Sequence, residues 1–297
     1  MAIKNVVVIG GAGRLGPSIV ETLVASPHGY SVSVLSRESS KYEPQAGIKL
    51  LKTDYTHESL VAALKGQDAV ISAIGAAGVS SQAKVIDAAI AAGVKRFIPS
   101  EFGSDTTNPL TLEYFPGWAE KVEIRKYLES KKDQIEYTVI FNGLFFDWGI
   151  QVGFLGINTA EKTARVNTKY KDVAVSATNL SDIGTAVAQA LSPAIAAKTA
   201  NQTLRIHTLT ASQADIVAAF EAASGSKYIV HEIDLDAEFT AAQQKLQQGD
   251  FSGVGALITR AMVDPRTGNN FEQAGTLSNE LLELPAQGLK QTVQALV

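Results

Sequence analysis

A glycine-rich turn between an apolar run and a helical pattern constrains this chain more than any other feature. Residues 6–20 read VVVIGGAGRLGPSIV, with β-branched residues before the glycines and a helix-like period after them. Gly10, Gly13 and Gly16 form the spacing G-x-x-G-x-x-G. In a strand-to-helix crossover such glycines permit a tight turn, let backbone amides approach a pyrophosphate and allow close helix packing. The partial positive charge at the start of the helix favours phosphate there.

The turn therefore predicts a dinucleotide site at Gly10, Gly13, Arg14, Leu15 and Gly16. A glycine pattern alone is weak support, but here it occupies the first turn of a regular strand-helix alternation. Arg14, at the tip of the turn, is expected either to lie along the pyrophosphate or to be a solvated arginine.

Short β-branched runs alternate with helical patterns through the first half of the chain, as they do in a parallel sheet covered by helices. The predicted strands are Ile3–Ile9, Ser31–Ser36, Ile48–Asp54, Asp68–Ile74, Arg96–Ser100 and Glu136–Phe141. The predicted helices are Arg14–Ala25, Glu58–Lys65, Ser81–Ala92 and Trp118–Ser130. This rhythm predicts an α/β fold: a Rossmann-type doubly wound parallel sheet.

The rhythm loosens after Gly143, which predicts a smaller α+β C-terminal substrate domain packed over the carboxyl edge of the sheet. The expected division is residues 1–150 for the nucleotide-binding domain and 151–297 for the second domain, with some exchange of chain between them. Ser181 and Ser212 are expected to cap helices. The predicted elements are strands Asp172–Ser176 and Thr203–His207 and helices Ser181–Leu191, Ser212–Ala223 and Ala237–Gln248.

The end of the second strand indicates which nucleotide is bound. NAD enzymes usually place a carboxylate there, whereas NADP enzymes use arginine or lysine to hold the 2′-phosphate. Here Ser36 occupies the carboxylate position, Arg37 follows it and Lys41 lies further on, so NADP(H) is predicted. Glu38 follows the arginine rather than replacing the strand-terminal residue. If Arg37 and Lys41 are only solvated loop charges, the specificity stays open.

Ligands of such sheets lie outside the carboxyl ends of the strands. Small residues at Ala73, Ile74 and Gly75 end the fourth strand and let a nucleotide lie over the sheet edge, although tight packing explains them equally. The segments PSEFGSD and FNG follow the fifth and sixth strands. Acid catalysis by Ser100, Glu101 or Asp105 is weighed there against a capping or loop-fixing role.

The helix between these two segments offers two catalytic interpretations. Tyr127 and Lys131 spell Y-x-x-x-K, the signature of short-chain dehydrogenases, whereas Lys121 lies near the start of the helix. Because the helix runs back from the carboxyl edge, Tyr127 lies roughly 9 Å and Lys131 roughly 15 Å further down it. We therefore expect Tyr127 to pack with Ile124 and Leu128, and Lys131 to be solvated. On position alone, Lys121 is as consistent with an exposed lysine as with a proton relay beside the nicotinamide.

The chain resembles the isoflavone reductase-like, or NmrA-like, atypical short-chain dehydrogenases. The resemblance rests on GGAGRLG, SRES, RFIPSEFGSD and EKVEIRKYLESKKDQIEYTVIFNGLF, with a weaker match at VSATNLSDIGTAVAQAL. It implies an NADPH-binding Rossmann domain, a smaller substrate domain and Lys121 as the catalytic proton relay. It also implies that Phe102, Asn142, Gly143 and Phe146 border the nicotinamide or the substrate.

The segment TTNPLTLEYFPGWAE departs from the longer, charged segment of the plant reductases. This departure puts plant phenylpropanoid substrates in doubt, and small secondary-metabolite or xenobiotic ketones and enones fit as well. Aromatic side chains are expected either to line a substrate pocket or to belong to the core. The candidates are Tyr114, Phe115, Trp118, Phe145, Phe146 and Trp148.

Composition narrows the alternatives. The absence of cysteine excludes thiolate chemistry and disulfides, and the four scattered histidines show no metal-binding spacing, so no metal is expected. A net charge of −4 gives no general attraction to nucleic acid or membrane. The N-terminal segment resembles neither a signal peptide nor a membrane span, so a cytoplasmic monomer or homodimer acting on a small molecule is expected. A redox sensor that binds the dinucleotide and regulates a protein partner is the alternative function. The presence of Lys121 favours the enzyme.

Overall fold

Strands and helices alternate through the first half of the computed structural model, which describes residues 3–285 and 287–297. The strands are β1 (Asn5–Ile9), β2 (Ser31–Arg37), β3 (Lys49–Thr53), β4 (Ala69–Ser72), β5 (Arg96–Ile98) and β6 (Glu136–Phe141). The helices are α1 (Gly16–Ala25), α2 (His57–Leu64), α3 (Gln82–Ala91), α4 (Pro109–Tyr114) and α5 (Ala119–Ser130). Short 3-10 turns at Ala76–Ser81 and Pro116–Trp118 precede α3 and α5. The six predicted strands are confirmed, and α4 was not predicted.

The second half has shorter strands and a less regular order. Its strands are β7 (Leu144–Phe145), β8 (Ile157–Asn158), β9 (Thr163–Asn167), β10 (Val175–Thr178), β11 (Gln202–Arg205), β12 (Leu209–Ala211) and β13 (Ile229–Ile233). Its helices are α6 (Phe146–Gln151), α7 (Leu180–Ala190), α8 (Ala196–Thr199), α9 (Gln213–Ser224), α10 (Leu235–Gln247), α11 (Val254–Val263) and α12 (Leu289–Gln294). Two 3-10 turns lie at Phe251–Gly253 and Pro265–Thr267.

The predicted helix caps differ in outcome. Ser212 caps α9 in a reciprocal capping box with Asp215, as predicted. The prediction for Ser181 is wrong, because Asn179 precedes α7 and Ser181 lies inside the helix. The strand predicted at 172–176 also lies later in the chain, at β10, since Asp172 belongs to an exposed turn.

The central sheet has seven parallel strands in the order β11-β6-β5-β4-β1-β2-β3. The predicted doubly wound parallel sheet is confirmed, and the strand order reverses direction between β1 and β4. That reversal opens a crevice at the carboxyl ends of these two strands. Two hydrophobic cores cover the sheet, one beneath α1 and α7 and the other beneath α2, α3 and α5.

The seventh strand comes from the second half of the chain. β11 pairs with β6, and α7 packs beside α1, so residues 180–205 complete the parallel sheet of the first half and its helical cover. The buried guanidinium of Arg96 on β5 holds this returning segment. It donates to Glu136, Thr138, Thr199 and the backbone oxygen of Ala196 at 2.7–3.2 Å, and the residue is only 1% exposed. Every guanidinium nitrogen therefore has a partner.

Two three-stranded sheets build the remainder of the second half, in the orders β12-β10-β7 and β13-β9-β8. A separate core that includes Phe146, Ile157, Ala177 and Phe220 joins them to α6 and α9. A smaller apolar cluster around Phe115 and Leu257 joins the segment before α5 to α10 and α11. None of the described helices is long and apolar enough to cross a membrane.

Candidate functional site

The glycine turn between β1 and α1 has the geometry of an anion cradle. The amide of Gly13 donates to Gly10 O at 2.8 Å, whereas those of Ala12, Arg14 and Leu15 make no hydrogen bond to a residue that the structure describes. A side chain at Gly16 would place its Cβ 2.1 Å from Gly10 O, so only glycine lets the helix start this close to the strand. Free amides at a helix start fit a diphosphate.

Arg14 and Leu15 point in different directions from this turn. Leu15 is buried in the core between the sheet and α1. The Arg14 guanidinium carbon lies 3.6 Å from the centroid of the Trp148 ring, on α6. Burial lowers the pKa of Arg14 from its ordinary value, yet an arginine keeps its charge.

The residues predicted to select NADP(H) surround the end of β2. Ser36 is half-buried, while Arg37 and Lys41 are exposed. Neither cation forms an ion pair among residues 3–285 and 287–297. Two unpaired cations beside the predicted ribose position can hold a phosphate.

The carboxyl ends of β1, β4 and β5 are joined by short hydrogen bonds. Ala73 N donates to Ile9 O at 2.8 Å, and the Ser100 hydroxyl donates to Ile74 O at 2.7 Å. Gly75, the next residue, is exposed. The edge of the crevice is thus formed by Ala73, Ile74 and Gly75, as the sequence predicts.

A loop formed by residues 101–103 connects the end of β5 to the end of β6. Phe102 is buried, and the amides of Asn142 and Gly143 both donate to Gly103 O, at 3.1 and 3.0 Å. Gly143 has φ +63°, and a Cβ there would lie 2.0 Å from Ser176 O. The Asn142 side chain donates to Gly143 O at 3.1 Å. The structure thus brings Phe102, Asn142 and Gly143 together.

Lys121 reaches the same loop from the first turn of α5. Its Nζ is 2.5 Å from the backbone oxygen of Glu101 and donates to it. Lys121 is half-buried, and this desolvation lowers the pKa of its ammonium group, with the charge of Glu101 opposing the effect. An amine with a lowered pKa at the carboxyl edge of the sheet is suited to proton transfer.

The Glu101 side chain points away from solvent, toward the second cation of the same helix. Its carboxylate is 2.9 Å from Arg125 Nη1 and also accepts from the Thr106 hydroxyl. Burial raises the pKa of Glu101, whereas Lys121 and Arg125 oppose the rise. Lys121 thus binds the backbone carbonyl of Glu101, and Arg125 binds its carboxylate. Asp105 is bound by Arg205 at 2.6 Å, so it fixes the loop as well.

The Y-x-x-x-K pair lies away from this edge. The Tyr127 hydroxyl donates to Asp87 on α3 at 2.5 Å, and this hydrogen bond, with burial, raises the pKa of Tyr127 to about 12. Tyr127 packs against the core that contains Ile124 and Leu128. Lys131 is half-buried rather than fully solvated, because its ammonium lies 5.3 Å from the Tyr127 ring centroid.

The predicted pocket aromatics are dispersed. Phe146 is fully buried in the core of the second half, while Phe145 packs edge-on against Trp148. Phe115 packs edge-on against Trp118, and Tyr114 donates its hydroxyl to Asp264. None of these six side chains lines the cavity described next.

A cavity of about 250 Å³ lies in the second half of the molecule. Its wall is mostly apolar and includes Leu144, Phe154, Asn167, Val175, Ile216 and Met262. Leu144 directly follows Gly143, and Met262 Sδ accepts from Ser104 Oγ at 2.7 Å, so the wall adjoins the loop that follows β5. Sequence reasoning missed these residues, because they come from many elements and share no motif.

A doubly wound parallel sheet with a glycine turn between its first strand and first helix defines the class of dinucleotide-binding α/β proteins. The model of the NmrA-like family matches residues 2–240, and the chain belongs to this family. The resemblance drawn from the sequence motifs is thereby confirmed.

Several known proteins are similar to this chain. Oxidoreductase aprR of Aspergillus flavus is 34% identical over 301 residues, covering 100% of this chain and 99% of that protein. Eugenol synthase 1 of Petunia hybrida is 36% identical over 167 residues, about half of each chain (50% and 53%). A solved structure of AtPrR2 with NADP+ and (+)pinoresinol matches 100% of this chain and 99% of its own, with a TM-score of 0.80 and 21% identity.

Proposed function

We propose that this protein is an NADPH-dependent reductase that acts on a small, largely apolar or aromatic carbonyl or enone, with Lys121 as the proton relay. The observation that carries the proposal is the Lys121 ammonium, which is held 2.5 Å from Glu101 O at the carboxyl edge of a nucleotide-binding sheet.

The coarser part of this function rests on the family and on the nucleotide turn. The chain is an NADP-dependent oxidoreductase: its full-length relative from Aspergillus flavus is named an oxidoreductase, and its fold is that of a structure holding NADP+. When bound, NADPH supplies the hydride. The free amides of the glycine turn would hold its diphosphate, and Arg37 and Lys41 its 2′-phosphate.

Lys121 has three N–H donors, and Glu101 O accepts one of them. This hydrogen bond fixes the direction of the ammonium, which leaves two donors for a substrate oxygen. Because burial lowers the pKa of Lys121, loss of its proton costs less free energy than for a solvated lysine. The side chain can therefore donate a proton to an oxygen that gains negative charge and recover it from solvent.

The second half of the chain would supply the substrate site. The cavity of about 250 Å³ is mostly apolar and adjoins Ser104 and Gly143 through Met262 and Leu144. A mostly apolar site of this kind favours an apolar compound with few polar groups. Pinoresinol in the AtPrR2 structure and the activity named for eugenol synthase support phenylpropanoid-like aromatic compounds as the first substrates to test.

NADPH oxidation by the purified protein should be followed against a panel of aryl ketones, enones, phenylpropenoid esters and benzylic ethers. We expect turnover of at least one compound by the wild type and by Lys126→Met, and its loss in Lys121→Met. Lys126 is a matched control because it is an exposed lysine of the same helix and, among the residues that the structure describes, it pairs only with Glu123. NADPH binding without turnover, together with a co-purifying protein, would instead identify a non-catalytic redox sensor.

A further inference from the structure

The Arg14 side chain is stacked on an indole that belongs to the second half of the chain. Its guanidinium carbon lies 3.6 Å from the Trp148 ring centroid, a closer approach than that of Arg260 to Tyr170 at 4.6 Å. Arg14 forms no ion pair with any residue in the described parts of the chain. A stacked guanidinium still presents its N–H edge to a further ligand.

Trp148 is held firmly from its other sides. Phe145 packs edge-on against its ring at a centroid distance of 6.3 Å, and Phe154 lies at 6.1 Å. The backbone amide of Trp148 donates to the Asp147 carboxylate at 2.8 Å. That carboxylate also accepts from the amide of Leu180, at the start of α7. The indole is therefore a fixed surface against which Arg14 is ordered.

We propose that Trp148 is a positioning residue for the dinucleotide: it holds Arg14 beside the glycine turn, ready to bind the pyrophosphate. The inference rests on the proposed NADPH-dependent function, but not on Lys121 or on any substrate. A free arginine loses side-chain conformational freedom when it binds a phosphate, and stacking removes that freedom beforehand. A residue of α6, which packs with the second half of the molecule, thus contributes to NADPH affinity.

The test is a double-mutant cycle in which the dissociation constant of NADPH is measured from the fluorescence of its nicotinamide. We expect Trp148→Leu to weaken binding about three- to tenfold, the range of one partly desolvated cation–π contact. Arg14→Met should weaken binding by at least as much, and the double variant no further than Arg14→Met alone. Trp148→Phe, which keeps an aromatic face, should recover most of the affinity.

Phe239→Leu is the matched control, because it also removes a half-buried aromatic side chain. Phe239 lies on α10 and packs edge-on against Tyr114, with 5.5 Å between the ring centroids. It should leave the NADPH dissociation constant unchanged. Trp148→Met replaces Trp148→Leu in the cycle if the leucine variant does not fold.

Two results would overturn the inference in a folded protein. One is a Trp148→Leu or Trp148→Met variant that binds NADPH as tightly as the wild type, or more tightly. The other is a double variant whose loss equals the product of the two single losses. If the wild type itself fails to bind NADPH, the failure belongs to the proposed function instead.

Discussion

Replacement of Lys121 by methionine should make the protein more stable while it abolishes reduction. The ammonium is desolvated, an effect that the charge of Glu101 opposes in part, and within the described parts of the chain its one hydrogen-bond acceptor is Glu101 O. Desolvation of an ion costs several kcal/mol, whereas a hydrogen bond from a charged donor returns about 1.5–3 kcal/mol. Methionine has a similar length and no charge to desolvate. Arg125 and Thr106 continue to compensate the buried Glu101 carboxylate.

We therefore expect Lys121→Met to raise the free energy of unfolding by about 1–2 kcal/mol at neutral pH. For a chain of 297 residues this corresponds to a rise of about 2–3 °C in Tm. Urea unfolding followed by circular dichroism measures the difference directly. Lys126→Met, an exposed position on the same helix, should stay within about 0.5 kcal/mol of the wild type.

The pH dependence of this difference in the free energy of unfolding is a second, independent test of the prediction. The folded-state pKa of Lys121 is lowered, so below that pKa the charged lysine reduces the free energy of unfolding of the wild type. This reduction disappears as the pH rises to the ordinary lysine pKa of 10.5, because the folded protein then holds the lysine uncharged. The advantage of the variant should consequently be full below the folded-state pKa of Lys121 and shrink as the pH rises toward 10.5. A variant less stable than the wild type, or a gap that does not change with pH, would refute the reasoning.

Three further predictions follow from other parts of the structure. Arg37→Ala should weaken NADPH binding about tenfold or more and leave NADH binding unchanged in fluorescence titrations, since only NADPH carries the 2′-phosphate; equal losses would contradict the assignment. Gly143→Ala should lower the free energy of unfolding by about 2–4 kcal/mol, because its Cβ would clash with Ser176 O at a positive φ; an unchanged urea midpoint would contradict this. Arg96→Met should cost about 3–5 kcal/mol by removing the buried cation that donates to Glu136, Thr138 and Ala196 O, whereas Arg165→Met, at an exposed pair with Glu238, should cost no more than about 1 kcal/mol.

The first half of the fold could be predicted because each of its elements is specified locally. Buried parallel strands are continuous apolar runs such as VVVI, and the glycine turn marks the first crossover. Lys121 could be placed at the carboxyl edge by helix direction alone, and its contact with Glu101 O agrees with that placement. The choice against Tyr127 used the same argument.

The second half was harder to predict because its elements depend on tertiary packing. β13 is an edge strand with four exposed residues at Ile229–Glu232, so it lacks the in-out alternation that identifies a strand. The cavity residues come from at least six elements, and the contact between Arg14 and Trp148 joins positions 134 residues apart in sequence. No local pattern encodes such a contact.

The origin of β11 has a consequence for how the protein is made. During synthesis, β6 is an unpaired edge until Gln202–Arg205 has left the ribosome, and Arg96 lacks Thr199 and Ala196 O for as long. After residue 150 has been made, about 55 further residues must be synthesised before β11 can pair with β6. At about 5–20 residues per second this takes several seconds. Over that interval a chaperone that covers exposed strand edges would have its greatest effect on yield.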